Sequence, residues 1–269
     1  MTPFTYHTTS SIADAVAILD AAQTPKMLAG GQTLLPQMRE FRENPSDLVR
    51  IAPLLSHEIK TTGGALEIGA GATHHEIASS TEVQAAIPAL ATLSAAVGDV
   101  QVRHRGTLGG ALAANDPAGE YPAAALALDA VITTDRQEIQ VADLFAGAHR
   151  TVLAPSEIIL SVRFAIPQST AYRKILDPAA RWPMVGVFIA QRTDGWRIAV
   201  TGAHREGAFR HTAMEEAFSG SASPETALGV ETDVSGFRDT HFGDPEYRGN
   251  LVAVLASRCM KDLQASQKP

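Results

Sequence analysis

Two glycine-rich segments constrain this sequence more than any other feature, because each lies where a short apolar strand candidate meets the start of a helix. The first covers residues 29–36 (AGGQTLLP) and the second covers residues 106–117. Glycine lets the backbone approach a ligand closely, and free N–H groups at a helix start attract phosphate oxygens. A single turn of this kind is consistent with an ordinary tight connection. Two of them predict backbone cradles that face each other across one diphosphate, which favours a dinucleotide ligand.

Polar side chains in and after the second segment add candidate contacts. Thr107 offers a hydroxyl donor. Asn115, Asp116 and Glu120 are candidates for binding ribose hydroxyls, a role that acidic groups fill in other dinucleotide sites. Asn115 and Asp116 also suit a turn and cap before the next helix, so both interpretations stay open. A Rossmann site is not predicted, because His74 stands where a third glycine would follow the run at 69–71.

The charge and cysteine content exclude several classes of function. The 269 residues contain 22 Lys and Arg against 29 Asp and Glu, and the net charge of −7 disfavours nucleic acid as a partner. Cys259 is the single cysteine, so the chain alone builds no disulfide, no four-cysteine zinc site and no iron–sulfur cluster. The nine histidines lack metal-ligand spacing, and we expect no metal bound by this chain.

Targeting signals are not evident in the sequence. The first residues lack the basic and apolar regions of a signal peptide, and no window reaches the roughly 18 apolar residues of a membrane span. We therefore expect a cytoplasmic protein without a membrane-spanning segment.

Local patterns predict both strands and helices, and the order of elements after residue 170 suits an α+β C-terminal domain. Strand and helix candidates alternate at short intervals over the first 50 residues, as in a βαβ unit. Thr73 and Glu76 have the spacing of a helix capping box. Pro88 and Gly98 suit the first turn and the end of a helix over 87–97.

The domain boundary is predicted from a short polar stretch at 167–170, which is typical of a linker. We predict an N-terminal domain over 1–167, with subdomains of about 1–55 and 56–167. A C-terminal domain over 171–269 would combine strands with the helices predicted near 212–218 and 247–262.

At the two glycine segments the sequence resembles the FAD-binding medium subunits of the molybdenum hydroxylases. This family includes the carbon monoxide dehydrogenase flavoprotein and is related to the flavin domain of xanthine dehydrogenase. Residues 29–36 are similar to the family's Ala-Gly-Gly-x-Ser/Thr-Leu-Leu-Pro motif, and residues 103–122 are similar to its second, longer glycine motif. Further similarities within 155–248 extend the resemblance over nearly the whole chain.

The resemblance implies a two-subdomain FAD-binding domain of the PCMH type, followed by a small α+β domain with a three-stranded antiparallel sheet. It implies that backbone groups of both glycine segments hold the diphosphate of FAD. Lys174 is expected near the flavin, where its charge would stabilise the anionic reduced form, and Trp182 is expected beside the isoalloxazine. The predicted cofactor-binding residues are Leu28, Ala29, Gly30, Gly31, Gln32, Thr33, Leu34, Leu35, Val97, Thr107, Leu108, Gly109, Gly110, Ala111, Asn115, Asp116, Glu120, Leu160, Lys174 and Trp182.

The resemblance also implies an electron-transfer subunit with no catalytic side chain of its own. FAD would receive electrons from a [2Fe-2S] cluster in a small iron–sulfur subunit and pass them to NAD, a quinone or oxygen. A large molybdopterin subunit would oxidise the substrate, and the implied assembly is a dimer of heterotrimers. Because Cys259 is alone, the cluster has to come from a partner chain.

Two alternatives stay open. A stand-alone flavin-dependent oxidase would need a convergent set of His, Tyr and Glu residues, which the sequence does not show. An FAD-free scaffold subunit stays open because of two departures from the family motifs, Gln32 in place of His or Thr and Ala111 in place of Asn or Ser. The intact glycines argue against that scaffold.

Overall fold

The computed structural model describes residues 2–178 and 182–266, whose strands form three sheets. The elements of the first unit are β1 (Thr5–Thr8), α1 (Ile12–Ala21), β2 (Pro25–Leu28), α2 (Leu34–Arg39) and β3 (Asp47–Arg50), followed by a 3-10 helix (Ala52–Leu54). The strands are parallel in the order β1-β3-β2, as the alternating pattern predicts. Ser11 begins α1 by accepting a hydrogen bond from the amide of Asp14.

The second unit is a five-stranded antiparallel sheet with helices. Its elements are β4 (Ile59–Thr62), β5 (Ala65–Gly69), α3 (His74–Ser79), α4 (Thr81–Ala86), α5 (Pro88–Ala96), α6 (Val100–Arg103), α7 (Leu108–Ala114), α8 (Glu120–Ala127), β6 (Val131–Thr134), β7 (Glu138–Gln140), α9 (Val141–Leu144) and β8 (Ile159–Ala165). The strand order is β4-β5-β8-β6-β7. The predicted capping box of Thr73 and Glu76 is present at the start of α3, and Gly98 follows α5 with a φ of 49°.

The third unit contains the predicted antiparallel sheet. Its elements are β9 (Ser169–Leu176), β10 (Pro183–Arg192), β11 (Gly195–Thr201), β12 (Phe209–Arg210), α10 (Thr212–Gly220), α11 (Pro224–Gly229) and α12 (Pro245–Ser266). The order is β12-β11-β10-β9, so the three long strands are joined at one edge by a fourth strand of two residues. That strand was not predicted, because two residues carry no alternating pattern. β9 begins at Ser169, inside the predicted linker, and the boundary between 167 and 171 stays a prediction.

The third sheet is buried on both faces. Val187 and Ile189 of β10 lie in a core with α12, whereas Phe188 and Ala190 of the same strand lie in the larger core that contains α8. Neighbouring side chains on a strand point to opposite faces, so a strand enclosed on both sides is apolar at consecutive positions. The sheet is therefore sandwiched between the second unit and the C-terminal helix.

None of the helices within the described ranges has the length and apolar character that a bilayer crossing requires. The architecture of sheets and helices is α+β, as predicted.

Candidate functional site

A deep cavity of about 780 Å³ lies between the first two units and reaches the third. This volume is within the roughly 300–1,000 Å³ range of small-molecule and cofactor sites. Both glycine segments line it, as does the 151–159 stretch before β8. Trp182 and Pro183, at the start of β10, complete the wall from the third unit.

The two glycine segments touch each other at Gly30. A Cβ atom built at this residue would overlap the backbone carbonyl of Arg105 and lie 3.0 Å from the Cα of Gly106. Neither neighbour is a flexible side chain, so only glycine allows the segments to meet this closely. Gly31 has a φ of 74°, the left-handed conformation that turns the chain from β2 toward α2.

Free backbone donors are concentrated in the first segment. Among the described residues, the amides of residues 30–33 have no hydrogen-bond partner, and all four residues line the cavity. In the second segment the amides of Leu108 and Gly109 donate to the carbonyls of Ala72 and Ala70 at 3.0 Å each. The amides of Gly110 and Ala111 donate to the Thr107 hydroxyl and carbonyl. The backbone donors of the second segment are therefore mostly used within the protein, unlike those of the first.

The wall beside α8 contains a buried ion pair. Lys174 Nζ, from β9, lies 2.5 Å from Glu120 Oε1 and donates to the carbonyl of Ala96 at 2.8 Å. The Tyr172 hydroxyl donates to Glu120 Oε2 at 3.2 Å. Burial raises the pKa of Glu120, although the lysine favours its ionised form. The two charges thus compensate each other, and Glu120 is the partner that faces the cavity.

A chain of hydrogen bonds runs from the cavity wall into the core. His74 Nδ1 lies 3.1 Å from the Tyr121 hydroxyl, which donates to Ser94 Oγ at 2.8 Å. Ser94 in turn donates to the carbonyl of Leu90 at 2.7 Å. The rings of His74 and Tyr121 are stacked with centroids 4.9 Å apart, and both residues line the cavity. Burial lowers the pKa of His74 to about 4.

Most of the predicted cofactor-binding residues lie together at this cavity. Those that line it are Ala29, Gly30, Gly31, Gln32, Thr33, Leu34, Val97, Thr107, Gly109, Gly110, Ala111, Asp116, Glu120 and Trp182. The others do not line it: Leu28, Leu35, Leu108, Asn115, Leu160 and Lys174. Leu108, for example, is fully buried in the core.

Asn115 does not line the cavity as a ribose contact would require. Its side-chain amide donates to the carbonyls of Gly147 and Arg150, at 2.9 and 3.0 Å. The residue has a φ of 38° and ends α7 in the left-handed conformation, which asparagine tolerates. Of the interpretations open from the sequence, this geometry supports a turn, but the predicted cap before the next helix is wrong, because Gly119 occupies the N-cap position of α8.

Several cavity residues were missed by sequence reasoning. The sequence patterns predict no cofactor contact for His74 or for Tyr121. The available signal was their place in the sequence, since His74 follows the capping-box residue Thr73 and Tyr121 follows Glu120. Glu157 also lines the cavity, but its carboxylate accepts hydrogen bonds from Ala154, Thr134 and Gln137.

Comparison with known proteins identifies this arrangement. Residues 2–169 match the family model described as the FAD binding domain in molybdopterin dehydrogenase. The chain belongs to this family. It is 28% identical to the carbon monoxide dehydrogenase medium chain of Hydrogenophaga pseudoflava over 96% of both chains. It is 32% identical to the nicotine 6-hydroxylase medium subunit of Paenarthrobacter nicotinovorans over 97% of both.

A solved structure shows the same fold. The carbon monoxide dehydrogenase from Hydrogenophaga pseudoflava that lacks the Mo-pyranopterin moiety superimposes with a TM-score of 0.87 at 29% identity, over 98% of this chain and 99% of the other. The sequence resemblance is thereby confirmed. The chain is a flavoprotein subunit of an oxidoreductase, and its own cofactor is FAD.

The residues present fit that cofactor. Four consecutive free amides supply donors for a diphosphate, and the glycine contact at Gly30 keeps the two segments close enough to enclose it. The cavity has the volume of a cofactor site, and the carboxylates of Asp116 and Glu120 on its wall supply acceptors for hydroxyl groups.

Proposed function

We propose that this chain is the electron-transfer subunit of a molybdenum hydroxylase. It would take electrons from a [2Fe-2S] cluster in a small partner subunit and deliver them to an external acceptor, NAD, a quinone or oxygen. A large molybdopterin subunit would carry out the substrate oxidation. Support comes from the family membership, from relatives named as medium subunits, and from the run of free amides at residues 30–33, which is the observation that carries the proposal.

FAD, when bound, supplies reversible one- and two-electron redox chemistry, and the chain supplies binding and orientation. The amides of residues 30–33 would hold the diphosphate, because successive unpaired N–H groups in a loop favour an anion. Thr107 would contribute its own free amide, and its hydroxyl would still be able to donate, because in capping α7 the hydroxyl oxygen only accepts a hydrogen bond, from the amide of Gly110. The apolar side chains of Val97, Ala111 and Ile159 line the cavity and would exclude water from an apolar part of the cofactor.

Lys174 acts differently from the role expected from the resemblance alone. Its ammonium group is already paired with Glu120 and bonded to the carbonyl of Ala96. We propose that Lys174 orients the Glu120 carboxylate toward the cavity, rather than acting as a free positive charge beside the ring system. Trp182, with 51% of its surface exposed, lies at the rim and supplies an aromatic face there.

The test uses a single glycine with a matched control. The Gly30→Ala variant places a methyl group against the Arg105 carbonyl, and overpacking of this kind costs about 1–3 kcal/mol. We expect FAD to bind roughly tenfold or more weakly, measured by flavin fluorescence during titration of the apoprotein. Gly229→Ala, where a Cβ meets no atom within 4 Å, should bind FAD like the wild type.

Other outcomes distinguish the alternatives. A folded wild-type chain that binds no FAD would favour the scaffold subunit and refute the proposal. Bleaching of the flavin by an organic substrate added to the isolated chain would favour the stand-alone oxidase. Co-purification with a cysteine-rich iron–sulfur chain and a large molybdopterin chain is the expected result for the electron-transfer subunit.

A further inference from the structure

His74 is a buried imidazole in which one ring nitrogen has a partner and the other has none. The residue is 5% exposed and lies at the start of α3, on the cavity wall. Its Nδ1 atom is 3.1 Å from the Tyr121 hydroxyl. Among the described residues, no hydrogen bond is formed by Nε2.

The hydrogen-bond chain behind His74 determines which nitrogen carries the proton. The carbonyl of Leu90 can only accept, so the Ser94 hydroxyl donates to it. The Tyr121 hydroxyl must then donate to Ser94 Oγ, and its oxygen is left to accept from His74 Nδ1–H. The ring is neutral near pH 7, because burial lowers its pKa to about 4. Nε2 is therefore an unprotonated acceptor with a free lone pair.

The surroundings of Nε2 keep it open to the cavity. Within the described residues, the side-chain atoms that are inaccessible to solvent and lack a hydrogen-bond partner are Thr9 Oγ1 and Asn115 Oδ1. Nε2 of His74 also lacks a partner but is not one of these atoms, so it is accessible. Gly106 is the neighbour, and a Cβ there would lie only 2.5 Å from Nε2. Gly106 thus leaves the nitrogen uncovered, at the point where the second glycine segment meets Gly30 of the first.

We infer that His74 is a cofactor-binding residue whose Nε2 atom accepts a hydrogen bond from a hydroxyl group of FAD. A diphosphate has no hydrogen to donate at neutral pH, so it cannot be the partner of an unprotonated Nε2. Nε2 therefore binds a different part of the cofactor from the amides of residues 30–33, which are donors. In FAD the diphosphate is flanked by the ribityl chain on one side and the adenosine ribose on the other. A donor group beside the glycine segments is therefore a hydroxyl from one of these two.

The inference rests on the proposed FAD site and deepens it. Two amide variants separate the functions of the two nitrogens. In His74→Asn the short side chain can still donate to the Tyr121 hydroxyl, but no atom replaces Nε2. In His74→Gln the longer side chain carries an oxygen to the position of Nε2. A purely structural role for the bond to Tyr121 would favour asparagine, whereas an acceptor role favours glutamine.

The experiment measures FAD affinity of the apoprotein by fluorescence titration, with thermal unfolding as the check on folding. We expect His74→Asn to weaken FAD binding roughly tenfold and His74→Gln to bind within about threefold of the wild type. Equal affinity for all three proteins would overturn the inference, as would equal weakening in both variants. If the wild type binds no FAD, the proposed function fails instead.

Fragments of the cofactor identify the hydroxyl. FMN contains the ribityl hydroxyls but no adenosine ribose, whereas ADP contains the ribose hydroxyls but no ribityl chain. Weaker binding of FMN by His74→Asn assigns the ribityl hydroxyls, and weaker binding of ADP assigns the ribose, while undiminished binding of both contradicts the inference.

A measurement on the wild type does not depend on the variants folding well. In the ¹⁵N NMR spectrum of apoprotein labelled at histidine, we expect the Nε2 resonance of His74 at the chemical shift of an unprotonated ring nitrogen. The resonance is assigned by its loss in the His74→Gln variant. Accepting a hydrogen bond moves this resonance upfield when FAD is added. A resonance that stays unchanged in the FAD-saturated protein refutes the contact.

Discussion

The ion pair between Lys174 and Glu120 gives a prediction whose size follows from the structure. The side chains are 11% and 5% exposed, and the charged atoms are 2.5 Å apart. At an effective dielectric constant of 20 the Coulomb attraction is roughly 6–7 kcal/mol, which is offset by a desolvation cost of several kcal/mol for each ion. The intact pair is therefore close to neutral for stability. Removing one member leaves a buried charge alone, which costs about 3–5 kcal/mol.

The assay is a double-mutant cycle on the apoprotein. The free energy of unfolding of each variant is measured by urea denaturation at pH 7.5, with circular dichroism as the signal. We expect Lys174→Met and Glu120→Gln each to lower the free energy of unfolding by about 3–5 kcal/mol, and the double variant to recover most of that loss. Lys26→Met breaks an exposed ion pair with Glu43 and serves as the control, with no measurable effect expected. Additive losses in the double variant would refute the reasoning.

The stability of the Lys174→Met variant should depend on pH in a defined direction. Burial already raises the pKa of Glu120, and loss of the lysine raises it further. A carboxyl group with a raised pKa in the folded state binds its proton more tightly when the protein is folded. The stability that this protonation contributes is lost as the pH rises from about 4.5, the ordinary pKa, through the pKa of the folded state. The deficit of Lys174→Met relative to the wild type should therefore be smaller at pH 5 than at pH 8.

Two further predictions concern His74 and Cys259. The folded-state pKa of His74 is lowered from 6.5 to about 4, so the unfolded chain binds an extra proton in this window and stability falls by about 3 kcal/mol as pH drops through it. His74→Gln should lack this part of the pH dependence in urea unfolding, and an identical slope in both proteins would contradict it. Cys259 is fully buried and its pKa is raised by burial, so a thiol-specific reagent should react in denaturant but not with the native protein. Rapid labelling of the native thiol would show that the core around α12 opens.

Short-range signals predicted much of the fold. The capping box at Thr73 and the proline and glycine around α5 lie within a few residues of the bonds they make, so the sequence contains the whole signal. The sequence pattern did not predict β9, because the polar stretch at 167–170, where the strand begins, is typical of a linker. Its strand conformation depends on pairing along β10, a partner more than ten residues further along the chain in most of its register.

The site was predictable in its parts but not in its pairings. The glycines at 30 and 31 and the residues around Thr107 were identified from their pattern. Which amides are free was not, because the donors of Leu108 and Gly109 are taken by carbonyls of Ala72 and Ala70, more than 30 residues earlier. Lys174 and Glu120 were each predicted as cofactor contacts, but their contact with each other was not predicted, because it joins residues 54 positions apart.

The doubly buried third sheet has a consequence for how such a subunit can evolve. Glu120 opens α8, whose apolar side is covered by β10 and β11, and the lysine that holds this carboxylate comes from β9. The segment that matches the family model ends at residue 169, before that lysine. The cofactor-binding region is therefore not a portable module. A gene rearrangement that transferred it without the following sheet would expose the apolar side of α8 and remove Lys174, the partner of Glu120.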